Sequence, residues 1–175
     1  MGSFEYTHLR SGDSFRLFKF LPGESQPDRG RDVAVSLTEV RISEKPTYRA
    51  LSYTWGDLKD TLSISVENGS LHVTTNLHAF LRQLQSRENK SDGEKWFWAD
   101  QICINQHDTS ERNQQVPLMG DIYRLSQESL VWLGKTTEHM QDVTTVIQSI
   151  ETLGIDSRTP VSEALGKAAE VNFFN

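Results

Sequence analysis

Apolar and polar positions alternate through FRLFKFLPG (residues 15–23), with Phe15, Leu17 and Lys19 set against Arg16, Phe18 and Phe20. A period of two predicts a strand, which Pro22-Gly23 would end. The polar stretch 24–32 reads as a loop. Val33, Val35 and Leu37 then share one face of VAVSLTEVRI (33–42), a second strand that makes an antiparallel pair with the first. YRALSYTW (48–55) is β-prone and stops at Gly56-Asp57. LSISVENGSLHVTT (62–75) predicts a hairpin turning at Asn68-Gly69, residue types that accept left-handed backbone. In NLHAFLRQLQS, Leu77, Phe80, Leu81 and Leu84 recur at helical spacing, with Thr75 or Asn76 as the cap.

After a polar loop (87–95), residues 96–104 form the most hydrophobic run of the chain: Trp96, Phe97, Trp98, Ala99, then Ile102, Cys103 and Ile104. Interior strands of parallel sheets are covered on both faces and read as continuous apolar runs, so this segment predicts such a strand. Asp100 and Gln101 interrupt it. A buried carboxylate is costly unless it is bonded, so Asp100 either ties down a loop or pairs with an arginine such as Arg112, or else belongs to a site. Val116, Met119, Ile122 and Tyr123 predict a helix that starts near Pro117 or kinks there. LVWLG (130–134) reads as a short buried strand. Met140, Val143, Ile147 and Ile150 predict another helix, and 160–171 a last one.

Three apolar strands (50–54, 96–104, 130–133) separated by helices predict an α/β fold with a parallel sheet. The N-terminal strand pair and the hairpin would be additions to it. In such sheets ligands bind beyond the carboxyl ends of the strands. Those ends are Thr54-Trp55-Gly56-Asp57, Asn105-Gln106-His107-Asp108 and Gly134-Lys135-Thr136. An indole, amides and carboxylates would converge there, a set suited to a nucleotide or ribosyl ligand.

Composition narrows the classes. A chain of 175 residues suits one domain, and a net charge of −6 with scattered basic residues gives no attraction to nucleic acid or anionic membrane. Cys103 is the one cysteine, so no internal disulfide forms, and a reducing, cytoplasmic setting is expected. No apolar run is long enough to predict a membrane span. The histidines (8, 72, 78, 107, 139) share no ligand spacing and the glycines form no phosphate loop, so neither a metal nor a bound cofactor is expected.

The segments YRALSYTWGD, ISVENGSLHVTTNLHAFLRQL, WFWADQICINQHDTSERNQQVPLMGDIYRLS and LVWLG closely resemble the fungal heterokaryon-incompatibility (HET) domain, in the family's order, over residues 48–135. The whole chain would then be one HET domain, with lead-in strands over 15–47 and a truncated set of helices over 137–175. Two departures stand out. The family's Ile-Asp-Ala is here Ala99-Asp100-Gln101, a larger residue that could narrow a pocket, and Pro117 falls inside the helix after Glu111-Arg112.

This resemblance implies a cytosolic effector of the cell death that follows fusion of genetically different hyphae, triggered by an activating protein or allelic partner. It also implies a remote likeness to the Toll/interleukin-receptor (TIR) domain, a flavodoxin-like α/β fold with helices on both faces. Several TIR domains self-associate and hydrolyse NAD with a glutamate. On that likeness NAD is the expected substrate, and two mappings of the carboxylate stand. Glu111 lies in the matched Asp-x-x-Glu-Arg segment, where stabilisation of a helix start would place it equally well. Glu138, with Asp142 nearby, follows the last strand. Trp55, Asp100, Asn105, Gln106 and Arg112 would bind substrate. A non-catalytic assembly module is the alternative.

Overall fold

The alternation at residues 14–20 produces β1 (Ser14–Phe20), which runs antiparallel to β2 (Ala34–Arg41) from Ser14↔Arg41 to Phe20↔Val35. The computed structural model describes residues 2–21, 33–67, 69–88 and 94–134. The chain forms two compact units, residues 1–134 and 135–175. All described elements belong to the first unit, and the helices expected over 140–153 and 160–171 lie outside the described residues.

The remaining strands are β3 (Arg49–Tyr53), β4 (Thr61–Val66), β5 (Gly69–Thr74), β6 (Phe97–Trp98) and β7 (Glu128–Trp132). They join β1 and β2 in one sheet of order β5-β4-β2-β1-β6-β3-β7. The expected parallel group is present, because β3 runs parallel to both β6 and β7. The fold is nevertheless a mixed α/β sheet. The N-terminal pair and the β4–β5 hairpin are integral strands, with β1 antiparallel to β6 through Phe18↔Phe97 and β2 parallel to β4.

Several local expectations change. The run 96–104 is not one strand. It pairs only at Phe97 and Trp98, and Asp100–Cys103 forms the short helix α2, whose Ile102 and Cys103 N–H groups donate to the Ala99 carbonyl. Its apolar residues are buried as a helix at the end of a strand. The hairpin pairs Val66 with Gly69, so the turn begins at Glu67, which takes the left-handed conformation (φ 48°). Gly69 serves a different need, because a Cβ there would lie 2.7 Å from the Phe4 Cα. The N-terminal segment runs that close, with Phe4 N–H donating to the Ser70 carbonyl (2.8 Å). Finally, the last strand, β7, is half-exposed rather than buried, with Val131 and Leu133 open to solvent.

Helix α1 (Thr75–Glu88) buries Leu77, Phe80, Leu81 and Leu84 as its spacing predicts. Its first turn is capped one residue earlier than expected, by Thr74 Oγ1, which accepts from Leu77 N–H (3.4 Å). Helix α3 (Thr109–Leu125) starts at Asp108, whose carboxylate accepts from the Ser110 and Glu111 N–H groups, and it runs through Pro117. Pro117 cannot donate to the Asn113 carbonyl, but both residues are exposed, so water can satisfy that oxygen. The buried face of α3 carries Glu111, Gln115 and Ile122, while Val116 points to solvent.

Phe80 of α1 stacks on Trp132 (5.2 Å, 8°), which is paired with Tyr53. Trp98, paired with Ala50, meets Tyr123 of α3 edge-on (5.2 Å). Ala50 and Tyr53 are three residues apart along β3 and so face opposite sides. Helices α1 and α3 therefore cover opposite faces, over a core that includes Phe15, Phe18, Leu51, Phe97, Trp98 and Ile102.

Substituting Gly69→Ala should push residues 2–4 off β5. We expect a loss of about 1–3 kcal/mol. Amide hydrogen exchange should speed up at Phe4 and Ser70 while the β1–β2 amides stay protected.

Candidate functional site

Two polar clusters form where the parallel strands end. The first is centred on Asp100, just past the β6 end. Its Oδ1 accepts from the Tyr53 hydroxyl (2.5 Å) and the Gln101 N–H (2.8 Å), and its Oδ2 accepts from Trp55 Nε1 (2.7 Å). Tyr53 closes β3 and Trp55 lies just past it, so adjacent parallel strands deliver donor and acceptor to one edge. Gly56 makes the turn that follows with φ +75°, a conformation glycine adopts without strain. Gln106 Nε2 donates to the Asp100 carbonyl (2.8 Å). Beside this group, Asn76 at the start of α1 donates to the Thr54 carbonyl (2.5 Å) and accepts from Trp132 Nε1 (2.9 Å).

The second cluster is centred on Glu111. Arg16 of β1 grips it with both ends of the guanidinium, Nη1 to Oε1 (2.6 Å) and Nη2 to Oε2 (2.9 Å). The Asn105 N–H adds a third bond to Oε1 (2.7 Å). Arg16 also donates to the carbonyls of Cys103 (3.0 Å) and Thr7 (2.6 Å), and its guanidinium lies over the Tyr6 ring (4.9 Å). Both partners are buried, with side chains 4% and 7% exposed.

Among the expected site residues, Trp55, Asp100 and Gln106 therefore come together. Glu111 and Asn105 join Arg16 instead, where Glu111 has the geometry of a structural ion pair. The Asn105 side chain folds back to accept from the His107 N–H (3.1 Å), which shapes the loop. Arg112 is exposed and donates to Thr109 Oγ1 (3.1 Å), not to Asp100 or Asp108 through its side chain. Glu138 and Asp142 lie outside the described residues. Gln101 points away from the strand ends, bonding the Thr74 N–H (3.0 Å) and hydroxyl (3.2 Å). The sequence pattern gives neither Tyr53 nor Arg16 a role at the site. The one available signal for Arg16 was a lone cation between Phe15 and Leu17 in a strand, which has to find an anion.

Electrostatics separate the clusters. Glu111 is matched by a cation, whereas every donor to Asp100 among the described residues is neutral. Burial, reinforced by the Asp100 charge, holds the Tyr53 phenol well above its ordinary range, so it remains a donor. Burial pushes Tyr123 up to about 12, and Asp100 again adds to the effect. Complete burial pushes the Cys103 thiol up to about 12, leaving no thiolate for nucleophilic chemistry near neutrality. Among the described residues no group of His, Cys, Asp and Glu could hold a metal ion, and no helix is long and apolar enough to cross a membrane.

These clusters can be probed by substitution and by pH. Replacing Glu111→Gln leaves Arg16 buried without its anion and should cost about 3–5 kcal/mol in urea unfolding. The double change Arg16→Met with Glu111→Leu should recover most of that loss. At alkaline pH a different pair of groups matters. Cys103 and Tyr53 have folded values above their ordinary 9.0 and 10.0, so the unfolded chain releases these protons first. Their contribution is complete below about pH 9 and is lost as pH rises through the folded values. The urea midpoint should fall between about pH 8 and about pH 10.5, less steeply in Cys103→Ala.

Residues 48–169 match the family model described as Heterokaryon incompatibility protein (HET). A curated relative, Heterokaryon incompatibility protein 6, OR allele, of Neurospora crassa, is 37% identical over 132 residues, covering 70% of this chain and 19% of that protein. This chain thus spans only a small part of the relative's length. No solved structure matches it. The matched region contains both clusters except Arg16 and its N-terminal partners, and it covers most of the sequence: the chain belongs to the heterokaryon incompatibility family.

Proposed function

We propose that this domain is the effector of cell death in fungal heterokaryon incompatibility, switched on by an allelic or activating protein, and that it hydrolyses NAD at the Asp100 edge. One observation carries the chemical part. Asp100 sits at the carboxyl ends of parallel strands with a negative charge that no cation offsets among the described residues. Cleavage breaks the bond between the ribose C1′ and the nicotinamide nitrogen. The electron pair leaves with nicotinamide, which departs neutral without an acid. Positive charge then develops on the ribosyl ring, and water adds at C1′ and releases a proton. A preorganised, unneutralised carboxylate stabilises that charge. Glu111 is poorly suited to this, because Arg16 already offsets it.

The remaining roles follow from position. Trp55 spends its indole N–H on Asp100, which orients the ring and leaves its faces for stacking on nicotinamide. Gln106, bonded to the Asp100 carbonyl, would meet the ribose hydroxyls, while Asn105 shapes the loop that carries it. Arg112, exposed in the first turn of α3, would be the cation for the pyrophosphate. Glu138 stays the alternative carboxylate on the TIR-like mapping.

A second reading, a non-catalytic module that works by self-association, has its own supporting observation. Strand β7 pairs only with β3 among the described residues and exposes Val131 (63%), with Leu133 (55%) exposed just past its end. Apolar side chains on an open edge favour pairing with another chain.

The test is free nicotinamide, measured by chromatography after incubation of the chain with NAD. Asp100→Asn and Glu138→Gln are run beside it, folding is checked by near-ultraviolet circular dichroism, and assembly by light scattering. We expect release by the wild type, a loss of about 100-fold or more in Asp100→Asn, and little change in Glu138→Gln. Loss in Glu138→Gln alone would move the chemistry to that residue. No release from an assembled sample would overturn the NAD reading and leave assembly as the function.

A further inference from the structure

A cavity of about 240 Å³ is lined by Phe15, Ile42, Lys45, Pro46, Tyr48 and Leu125. Its walls come from three places. Phe15 belongs to β1, residues 42–48 form the connection between β2 and β3, and Leu125 ends α3. Tyr48 gives its hydroxyl to the Ile122 carbonyl (2.6 Å), so its ring, edge-on to Phe15 (5.4 Å), is what it offers the cavity. Phe15 and Tyr48 are therefore held in place by packing without a ligand.

Lys45 is the exception in this wall. It follows a 3₁₀ turn (Ile42–Glu44) and sits in the left-handed region, φ 49° and ψ 54°, with its N–H closing the turn onto the Ile42 carbonyl (3.0 Å). Glycine or asparagine fills such a position without strain, whereas a lysine side chain there is disfavoured. Lys45 is exposed, and no hydrogen bond or ion pair engages its ammonium among the described residues. A strained, unpaired cation beside an apolar cavity needs a reason, and strained backbone concentrates where a ligand is held.

We propose that this cavity binds a small amphiphilic carboxylate, an aryl- or alkyl-carboxylate whose apolar part enters between Phe15, Tyr48 and Leu125 while its carboxylate meets the Lys45 ammonium. The volume is below the ~300 Å³ at which drug-sized sites begin, so the ligand is a single ring or a short chain. One cation against apolar walls selects a monoanion. A phosphate would bring more charge than the cavity can answer and nothing to fill it. None of its lining residues is bonded to Asp100, and the proposal does not depend on the NAD reading.

The test uses 3-phenylpropanoate and its neutral amide, titrated into the 175-residue chain. Nuclear magnetic resonance follows the backbone amides of residues 42–45, 47, 48 and 125. The acid should give saturable shifts there and bind more tightly than the amide. Lys45→Met should weaken the acid by about two- to fivefold and leave the amide unchanged. Lys45→Gly removes the same cation and the backbone strain together, so it should raise the thermal midpoint while losing the preference for the acid. It also serves if the Met variant folds poorly. Leu125→Trp should block both ligands. Equal affinity for acid and amide, or no saturable shift by about 10 mM acid, overturns the proposal.

Discussion

The buried pair of Arg16 and Glu111 is the interaction on which the rest of the structure leans. Arg16 stands in β1, a strand with neighbours on both sides in the seven-stranded sheet, and Glu111 in the first turn of α3. Placing two charges in that interior is expensive, and only near-complete bonding offsets it. The bonding is nearly complete here. The guanidinium reaches Glu111 twice and the carbonyls of Cys103 and Thr7, while the carboxylate also takes the Asn105 N–H. One pair thereby ties the sheet to the end of α2, the start of α3, the loop between them and the N-terminal segment. The loop 104–108 is held at both ends, which is what keeps Gln106 against Asp100.

The two carboxylates at the strand ends differ in what surrounds them. Each accepts three hydrogen bonds, yet their electrostatic situations differ. Glu111 meets a cation and adds little net field outside the pair. Asp100 meets only a phenol, an indole and a backbone amide, groups that orient a carboxylate without cancelling its charge. Its influence is visible nearby, because it contributes to holding the protons of Tyr53 and Tyr123. This negative charge, held by neutral donors at the edge of a parallel strand group, is the observation on which the proposed chemistry rests.

Helix α3 shows how one element can serve several ends. Its first turn anchors Arg16, its middle sends Gln115 to the Ser14 carbonyl, and its last turns take a hydroxyl from Tyr48 and give one to Leu51. Its buried stripe is therefore polar at one end and apolar at the other. That explains why its hydrophobic residues alone, Val116 included, misplace the buried face. Pro117 is tolerated because it falls on the exposed side, where the unpaired carbonyl meets water.

What the sequence determined by itself is what short-range periodicity can encode. Residues 15–20 and 33–41 alternate because a pleated strand turns every second side chain to one face, and 77–84 repeat because a helix does so every third or fourth. The order of these elements was enough for an α/β sheet with β3, β6 and β7 parallel and for a polar strand edge that includes Trp55, with the second strand expected to end at Asn105 rather than before Asp100. The tertiary structure decided everything that needed a partner far along the chain. Arg16 and Glu111 are 95 residues apart, and Asp100 is 47 and 45 residues from Tyr53 and Trp55. The end of β6 at Trp98 and the start of the hairpin turn at Glu67 were settled by neighbouring strands and by the Phe4 backbone beside Gly69. Local pattern states which face of an element wants burial. Only the packed sheet states which charge a buried charge will meet.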